Sequence, residues 1–457
     1  MLILHLHHHE ITTNRTSSLL IDLGEQENIE IDFQAEDYDC TVSKSAYSIA
    51  DIQDLGCLLG QQLSKSQQLT LYITPLCLQH IETEYWIKWL SFGLALANYR
   101  YQHQPTATIS TSITQYQLET SNTRWQEVFN EGKVLALSQL TARELINKPG
   151  NVLYPESFVS AVEQLALSGV TLSVLDDITM QEQGFGGLMG VSQGSNKAPR
   201  LLTLEYTPAN PSCTIALVGK GVTFDSGGIS LKQPSYMSTM KTDMAGAAAV
   251  VGAIQAISAL QLPVHVIGLC GLVENMPSSQ ALKPGDVVTM LSGKSVEIIT
   301  TDAEGRMVLA DVLHYAQQQY QPDYLIDIAT LTGAAGIALG KAYAAVMGND
   351  EELIKQAQRS GLQCFERLWP LPIDPWYQDI LASDYADYRH GGETPDGSPC
   401  VAATFLAQFI QPQQKWIHID CAAMTFQPQR KLYSKASTGF GTLLLTQLCE
   451  HIAKDNI

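Results

Sequence analysis

Two short stretches of the chain, residues 220–232 and 300–306, concentrate acidic and basic side chains within sequence that is otherwise apolar and rich in glycine. In the second stretch, Asp302 and Glu304 lie two residues apart. An extended backbone would point both carboxylates to the same side, and Gly305 would let the chain turn sharply just after them. The first stretch follows an apolar run, which is typical of a loop that leaves the end of a buried strand.

The charge of these segments indicates what they bind. Four carboxylates carry about four negative charges, which two divalent cations would neutralise. A lone Asp-x-Glu pair is usually a solvated surface feature, but three basic side chains accompany these carboxylates in apolar sequence, which is unusual for a structural core. The pattern therefore favours a two-metal site over a set of surface carboxylates. The four carboxylates are Asp225, Asp243, Asp302 and Glu304.

The same segments resemble the leucyl aminopeptidases, which are two-metal cytosolic exopeptidases of the M17 type. The family's motif around its catalytic arginine is matched at residues 301–306, and its Lys-Gly-x-x-Phe-Asp-Ser-Gly-Gly motif is matched at 220–228. The resemblance covers roughly the last two-thirds of the chain, and motifs of this length rarely arise by chance. The segment at 416–421, Trp-Ile-His-Ile-Asp-Cys, is closer to the bacterial peptidase B branch.

The resemblance implies a ligand set for two cations. One cation would be bound by Lys220, Asp225, Asp243 and Glu304. The other would be bound by Asp225, by Glu304, and by Asp302 through both its side chain and its backbone carbonyl. Such ligands suit Zn²⁺ or Mn²⁺, with Mg²⁺ or Co²⁺ possible at the weaker site. A water bound between the two cations becomes a hydroxide near neutral pH.

The resemblance also implies the catalytic and substrate-binding residues. Lys232 would polarise the scissile carbonyl, and Arg306 would bind bicarbonate as a proton shuttle, since an arginine stays protonated and cannot itself be the base. The free amine of a peptide would bind the second metal, which restricts hydrolysis to N-terminal residues. An apolar pocket for leucine- or methionine-like side chains would be formed by Met240, Thr330, Leu331, Gly333 and Ala422.

One residue departs from the family pattern. The family has Asn immediately before its Thr-Asp-Ala-Glu-Gly-Arg motif, whereas this chain has Thr300. A lost amide could loosen the groups that orient Asp302, but a threonine can still form a hydrogen bond there. We therefore expect tuning of activity and not its loss.

Composition restricts the partners and the compartment. The net charge of −19 argues against a general affinity for nucleic-acid backbones. Nine scattered cysteines without a Cys-x-x-Cys pair suit reduced thiols. The start of the chain lacks the features of a signal peptide, and no apolar stretch predicts a membrane span. We therefore expect a cytoplasmic protein that acts on peptides with a free N-terminus, and the resemblance implies a homohexamer.

Alternating strand-like and helix-like segments must position these residues, and they predict an α/β fold. A smaller N-terminal α/β domain without catalytic residues is predicted at 1–122. A connecting helix and turn follow at 123–150, with the helix itself at 125–146. A larger catalytic domain at 151–457 should contain a central, mostly parallel sheet, with the catalytic groups on loops at the carboxyl ends of its strands.

Two other function classes compete with a metallopeptidase. Ser192 lies in a Gly-x-Ser-x-Gly motif of the serine-hydrolase type, but such an elbow needs a strand before it and a helix after it, and Pro199 opposes an immediate helix. A non-catalytic relative that binds DNA or serves a structural role is the other alternative. His390 and His418 are possible metal ligands, although His418 fits a buried strand better.

Overall fold

The computed structural model describes residues 2–9, 16–22, 30–31, 38–41, 48–62, 68–75, 83–97, 99–101, 116–392, 394–430, 432–433 and 436–456. The chain forms two compact units, one of residues 1–140 with 428–434 and the other of residues 141–427 with 435–457. The predicted division into a non-catalytic domain at 1–122 and a catalytic domain at 151–457 stays a prediction.

The described part of the first unit contains a mixed sheet and helices. Its described strands are β1 (Leu2–His9), β2 (Thr16–Asp22), β3 (Glu30–Ile31), β4 (Tyr38–Thr41), β5 (Gln68–Pro75) and β6 (Tyr116–Glu119). They are ordered β3-β4-β2-β1-β5-β6. Its helices include α1 (Ile49–Gln62) and α2 (Thr83–Leu96), in keeping with the α/β character predicted for this part of the chain. The long helix α3 (Thr123–Asn147) confirms the helix predicted at 125–146.

The second unit is built on a larger sheet. The strands of this unit are β7 (Val170–Leu175), β8 (Arg200–Tyr206), β9 (Thr214–Asp225), β10 (His265–Asn275), β11 (Val287–Thr289), β12 (Ser295–Glu297), β13 (Tyr324–Ala329), β14 (Ala344–Gly348), β15 (Leu368–Pro370), β16 (Tyr388–Arg389) and β17 (Lys415–Asp420). Strands β11, β12 and β16 form a small separate sheet, and the others form the larger one. Its helices are α4 (Pro155–Glu163), α5 (Asp177–Gln183), α6 (Gly186–Ser192), α7 (Pro234–Met237), α8 (Ala245–Ala259), α9 (Gly305–Tyr320), α10 (Gly333–Leu339), α11 (Glu351–Cys364), α12 (Pro375–Ile380), α13 (Ser398–Ala407) and α14 (Thr442–Asp455). Short 3-10 turns cover Met240–Thr242, Thr301–Ala303 and Ala422–Met424.

The larger sheet is mostly parallel at its centre. Its order is β15-β14-β17-β13-β9-β10-β8-β7, and β17, β13, β9 and β10 run parallel to one another. Strand β9 is covered on both faces: Val218 lies in the core that includes α9, and Gly219 lies against Ala247 of α8. Burial on both faces explains the continuous apolar sequence of these strands. The arrangement confirms the predicted α/β fold class with its central, mostly parallel sheet.

Helix α8 lies inside the protein. The helical stretch Met240–Ala259 is long and apolar enough to cross a membrane by length and composition, but 89% of its most apolar window is buried. Its alanines and glycines let it approach the sheet closely, since a Cβ at Gly219 would lie 2.6 Å from the Cα of Ala247. Its composition is therefore that of a core helix.

Candidate active site

The chemistry-bearing residues meet at the carboxyl ends of the central parallel strands. Lys220 and Asp225 lie on β9, and Thr330 directly follows β13. Asp243 ends the 3-10 turn that precedes α8, and Glu304 directly precedes α9. Asp302 lies in the 3-10 turn just before Glu304. We call Asp225, Asp243, Asp302 and Glu304 the four-carboxylate centre.

The prediction of a loop from residue 220 onward was wrong. Strand β9 does not end near Val218 but continues to Asp225. It pairs with β10 over this whole length, with a register shift between Val273 and Glu274. Lys220 and Asp225 are therefore fixed by a sheet and not by a mobile loop. The loop begins only after Asp225.

The prediction of an extended segment around Asp302 was also wrong. Thr301–Ala303 forms a 3-10 turn, and Gly305 begins α9 without a sharp turn. Packing, and not the expected sharp turn, explains why residue 305 is a glycine. A Cβ there would lie 2.5 Å from Cε and 2.7 Å from Nζ of Lys220, so the glycine makes room for the lysine side chain.

Two lysines bridge the carboxylates in pairs. Lys220 Nζ lies 2.7 Å from Asp243 Oδ2 and 2.8 Å from Glu304 Oε1. Lys232 Nζ lies 2.6 Å from Asp225 Oδ2 and 2.5 Å from Asp302 Oδ1. The first pair is almost completely buried, whereas 39% of the Asp302 side chain is exposed. The centre therefore has a buried half and a half that reaches solvent.

Burial and mutual charge shift the ionisation of this centre. Burial raises the pKa of Asp225 to about 6, and the charge of Glu304 adds to that effect. Burial would also raise the pKa of Glu304, but Lys220 and Lys232 outweigh it and hold that pKa below its usual value. Burial alone would lower the pKa of each lysine, and the surrounding carboxylates raise it instead. Both lysines are therefore cationic at neutral pH in this structure.

The arrangement of donor atoms fits divalent cations. Asp225, Asp302 and Glu304 each offer one oxygen, and these three atoms lie within 4.8 Å of one another. Glu304 Oε2 is buried and has no hydrogen-bond partner among the described residues. A buried carboxylate oxygen without a donor is costly, and a cation would compensate it. The chemistry of the centre therefore matches the oxygen-rich ligand set of hard or borderline metals.

Sequence reasoning missed Asn275, which links Asp225 at the end of β9 to the 3-10 turn at Thr301–Ala303. Its Nδ2 donates to Asp225 Oδ1 at 2.8 Å and to the Thr301 carbonyl at 3.0 Å. The side chain is 4% exposed and lies at the end of β10, where it pairs in register with Asp225. The signal that could have found it is a polar residue at the carboxyl end of an otherwise apolar strand.

The loop after Asp225 is tied to the acidic turn. Gly227 and Gly228 adopt φ values of +87° and +66°, which favour glycine. The Thr301 hydroxyl donates to the Gly227 carbonyl at 2.6 Å and accepts from the backbone N–H of Ser230 at 2.8 Å. The Thr300 hydroxyl accepts from the N–H of Asp302 at 3.3 Å, so the residue that departs from the family pattern does form a hydrogen bond here.

Arg306 is buried beside His390. Its Nη1 donates to the His390 carbonyl at 2.6 Å, and its Nε has no hydrogen-bond partner among the described residues. His390 Nδ1 accepts from the N–H of Ile299 at 3.1 Å, so Nε2 carries the proton and donates to the Thr300 carbonyl at 2.8 Å. Burial and the Arg306 charge lower the pKa of His390 to about 4. Both ring nitrogens are engaged by backbone, so His390 is not arranged as a metal ligand.

Two other sequence candidates lie outside the centre. His418 is fully buried, with Nδ1 2.5 Å from Asp327 Oδ1, in keeping with the structural role predicted for it. Ser192 is the last residue of α6, is 4% exposed, and donates its hydroxyl to the Met189 carbonyl at 2.9 Å. It does not lie on a turn between a strand and a helix. The serine-hydrolase elbow is therefore absent.

One of the predicted pocket residues, Thr330, contacts the four-carboxylate centre directly. Its hydroxyl donates to Asp243 Oδ1 at 2.7 Å, and its carbonyl accepts from Lys220 Nζ at 3.0 Å. A Cβ placed on Gly333 would meet nothing within 4 Å, so there is open space beside it. The half-buried members are Met240, Thr330, Leu331 and Ala422, and Gly333 is exposed.

Comparison with known proteins gives a consistent picture. The model of the cytosol aminopeptidase family, catalytic domain, matches residues 140–446. A probable cytosol aminopeptidase of Phytoplasma australiense is 37% identical over 404 residues, which are 88% of this chain and 81% of that protein. One of Geobacter sulfurreducens is 42% identical over 364 residues, 78% of this chain and 73% of that protein. The solved structure of the bottromycin maturation enzyme BotP in complex with Mn superposes with a TM-score of 0.85 at 31% identity and covers 93% of each chain.

Proposed function

This chain belongs to the cytosol aminopeptidase family and is a metallo-exopeptidase of the leucyl aminopeptidase type, and from that premise we propose that its four-carboxylate centre binds two divalent cations and removes apolar N-terminal residues from peptides. The observation that carries the proposal is the buried Glu304 Oε2, which has no hydrogen-bond donor among the described residues although it lies beside further carboxylates. A purely structural carboxylate would have been given neutral donors.

The proposed ligands follow the four-carboxylate centre and its buried lysine. Lys220, Asp225, Asp243 and Glu304 would hold one cation, and Asp225, Asp302 and Glu304 the other. Mn²⁺ or Zn²⁺ is the proposed ion, with Mg²⁺ or Co²⁺ possible at the weaker site, and the Mn bound to BotP supports the first choice. A lysine that ligates a metal must be neutral, so Lys220 would have to release its proton as the cation binds.

The chain's own residues would complete the reaction. When bound, the two cations would supply Lewis acidity and a water that ionises near neutral pH. Lys232 would stay charged and stabilise the oxyanion that develops on the scissile carbonyl. Arg306 would hold bicarbonate, the proposed proton shuttle, because a guanidinium cannot act as a base and its buried Nε–H has no hydrogen-bond partner among the described residues.

The predicted pocket residues would determine which peptides are hydrolysed. An apolar pocket formed by Met240, Thr330, Leu331, Gly333 and Ala422 would receive the side chain of the first residue, with weak discrimination among apolar side chains. The open space beside Gly333 supports this placement. We further propose that the protein is cytoplasmic, in line with the names of its relatives, and that it assembles as a homohexamer.

A substrate pair tests the proposal. Metal-loaded protein should hydrolyse leucinamide but not N-acetyl-leucinamide, because the acetyl group removes the free amine. A chelator should abolish the activity, and Ser192→Ala should leave it unchanged. Activity that survives the chelator, or that is equal on both amides, would contradict the proposal. A DNA-binding role would instead appear as a gel shift at physiological salt that loss of the metals does not affect.

A further inference from the structure

One buried carboxylate outside the four-carboxylate centre connects the two loops that border it. Asp420 ends β17 and is 1% exposed. Its Oδ1 accepts from the backbone N–H groups of Leu331 and Ala422, both at 3.2 Å. Its Oδ2 accepts from the Thr332 hydroxyl at 2.6 Å. A single side chain therefore fixes the segment after β13 and the segment after β17.

The two segments are in close contact with each other. Strands β13 and β17 are parallel neighbours, and Ala329 pairs in register with Asp420. A Cβ on Gly336 of α10 would lie 2.9 Å from the Cβ of Ala423, so α10 and the turn after β17 pack tightly. Thr332 also accepts from the N–H of Ala335 and so begins α10. A shift of the Asp420 side chain would therefore change the distance between the segment after β13 and the segment after β17.

The first of these segments touches the centre directly. Thr330, one residue before Leu331, contacts both Lys220 and Asp243. The open space beside Gly333 lies at the other end of the same segment. Among the described residues, the Asp420 side chain forms hydrogen bonds with Leu331, Thr332 and Ala422 and none with the two lysines of the centre. Its influence on the size of the pocket would therefore pass through these two segments.

We propose that Asp420 is the positioning residue that sets substrate selectivity, because it holds residues 330–333 and 421–422 at a fixed separation and so sets the size of the pocket for the first side chain. This inference rests on the aminopeptidase function proposed above. A large apolar side chain gains its advantage over a small one from close contact with the pocket walls. If the walls are released, leucine should lose more than alanine.

The test compares kcat/KM for leucinamide and alaninamide on the metal-loaded enzyme. For Asp420→Ala, the ratio of the two values should fall about tenfold, within the range that a hydrophobic pocket can discriminate. Asp420→Asn keeps one acceptor oxygen and should give an intermediate ratio. Bound metal per chain should stay at the wild-type value in both variants. A ratio within about twofold of wild type, with both substrates slowed equally, would overturn the inference.

A milder pair of variants covers the case in which Asp420 variants do not fold. Thr332→Val removes the hydroxyl that binds Asp420, whereas Thr332→Ser keeps it. The first should shift the ratio in the same direction as Asp420→Ala, and the second should keep the wild-type ratio. Equal ratios in the two variants would overturn the inference.

The matched control is Asp311→Asn, since Asp311 is another fully buried carboxylate that accepts two backbone N–H groups. It should lower the melting temperature without moving the ratio, and an equal shift of the ratio in this control would count against a special role for Asp420. If wild-type enzyme hydrolyses neither amide, the proposed function fails and this inference with it. An active enzyme with unchanged ratios would overturn this inference alone.

Discussion

Two buried carboxylates lie at the start of helix α9 and within it, and they differ in the hydrogen-bond donors around them. Glu304 directly precedes the helix, and its Oε1 lies 2.8 Å from Lys220 Nζ. In the part of the chain that the structure describes, its Oε2 has no donor. Asp311, two turns further on, receives the N–H of Leu188 at Oδ2 and that of Leu291 at Oδ1. Neutral backbone donors therefore compensate the Asp311 carboxylate, whereas the proposed cations would compensate that of Glu304.

The largest effect is expected when the Glu304 carboxylate is removed. Glu304→Ala should lower kcat by more than about 10³ and reduce bound metal, because the proposed role of this side chain is to bridge both cations. Asp302→Ala should cost less, because Asp302 would hold one cation only. Steady-state kinetics and elemental analysis of the purified variants provide the measurement. Full metal content with wild-type turnover in Glu304→Ala would refute the two-metal interpretation.

Substitution of the two lysines of the centre should have different effects. Lys232→Ala should lower kcat roughly 10²–10³-fold, the usual cost of one oxyanion donor, without weakening metal binding. Removing an ammonium that contacts Asp225 and Asp302 removes a competitor for a cation. Lys220→Ala should instead weaken metal binding, and excess metal should partly restore its activity. Equilibrium dialysis decides between them, and rescue of Lys232→Ala by added metal would show that the roles are wrongly divided.

Substitution of His390 should have a smaller effect on kcat. Its ring holds the backbone at Ile299 and Thr300, directly before the acidic turn. His390→Ala should lower kcat about tenfold with KM little changed, the scale of one or two lost hydrogen bonds. His390→Gln can both donate and accept, so it should retain more activity than the alanine variant. An alanine variant with wild-type kcat would contradict this positioning role.

The smallest effect on catalysis is expected at Asp311. Asp311→Asn should leave kcat/KM within about twofold of wild type, but it should change how stability depends on pH. Burial raises the pKa of Asp311 to about 7, above the value of about 3.9 in an unfolded chain. The folded state therefore binds more protons between these pH values, and stability falls as pH rises through that window.

The asparagine variant has no such charge, so the melting temperature of the wild type minus that of the variant should decrease from pH 5 to pH 8. Thermal unfolding at several pH values measures this difference. A difference that stays constant with pH would show that Asp311 does not titrate in this range.

Local sequence patterns predicted the elements whose signal is local. Helix α3 follows from its helical periodicity, and its observed bounds lie close to the predicted 125–146. The length of β9 could not be predicted, because Gly219 and Gly221 interrupt its apolar run and its continuation to Asp225 depends on pairing with β10. Strand pairing over a long sequence separation has no local signature.

In the candidate site, too, contacts between distant parts of the sequence could not be predicted. The motifs named the residues that the structure brings together, including both lysines and all four carboxylates. Asn275 and Asp420 were missed because each acts across the sheet, on Asp225 of β9 and on the segment after β13 respectively. Only the order of the strands places them there. The 3-10 turn at Thr301–Ala303 was missed because its stability comes from contacts with Ser230 and Gly227.

The central claim is that the four-carboxylate centre holds two catalytic cations. The most direct test is to titrate metal-depleted protein with Mn²⁺ and to follow bound metal and leucinamide hydrolysis in the same samples. The account predicts saturation at two ions per chain, no hydrolysis without metal, and full activity only when both ions are bound. Full activity in the metal-depleted protein, or saturation at two ions in Glu304→Ala with wild-type affinity, would contradict it.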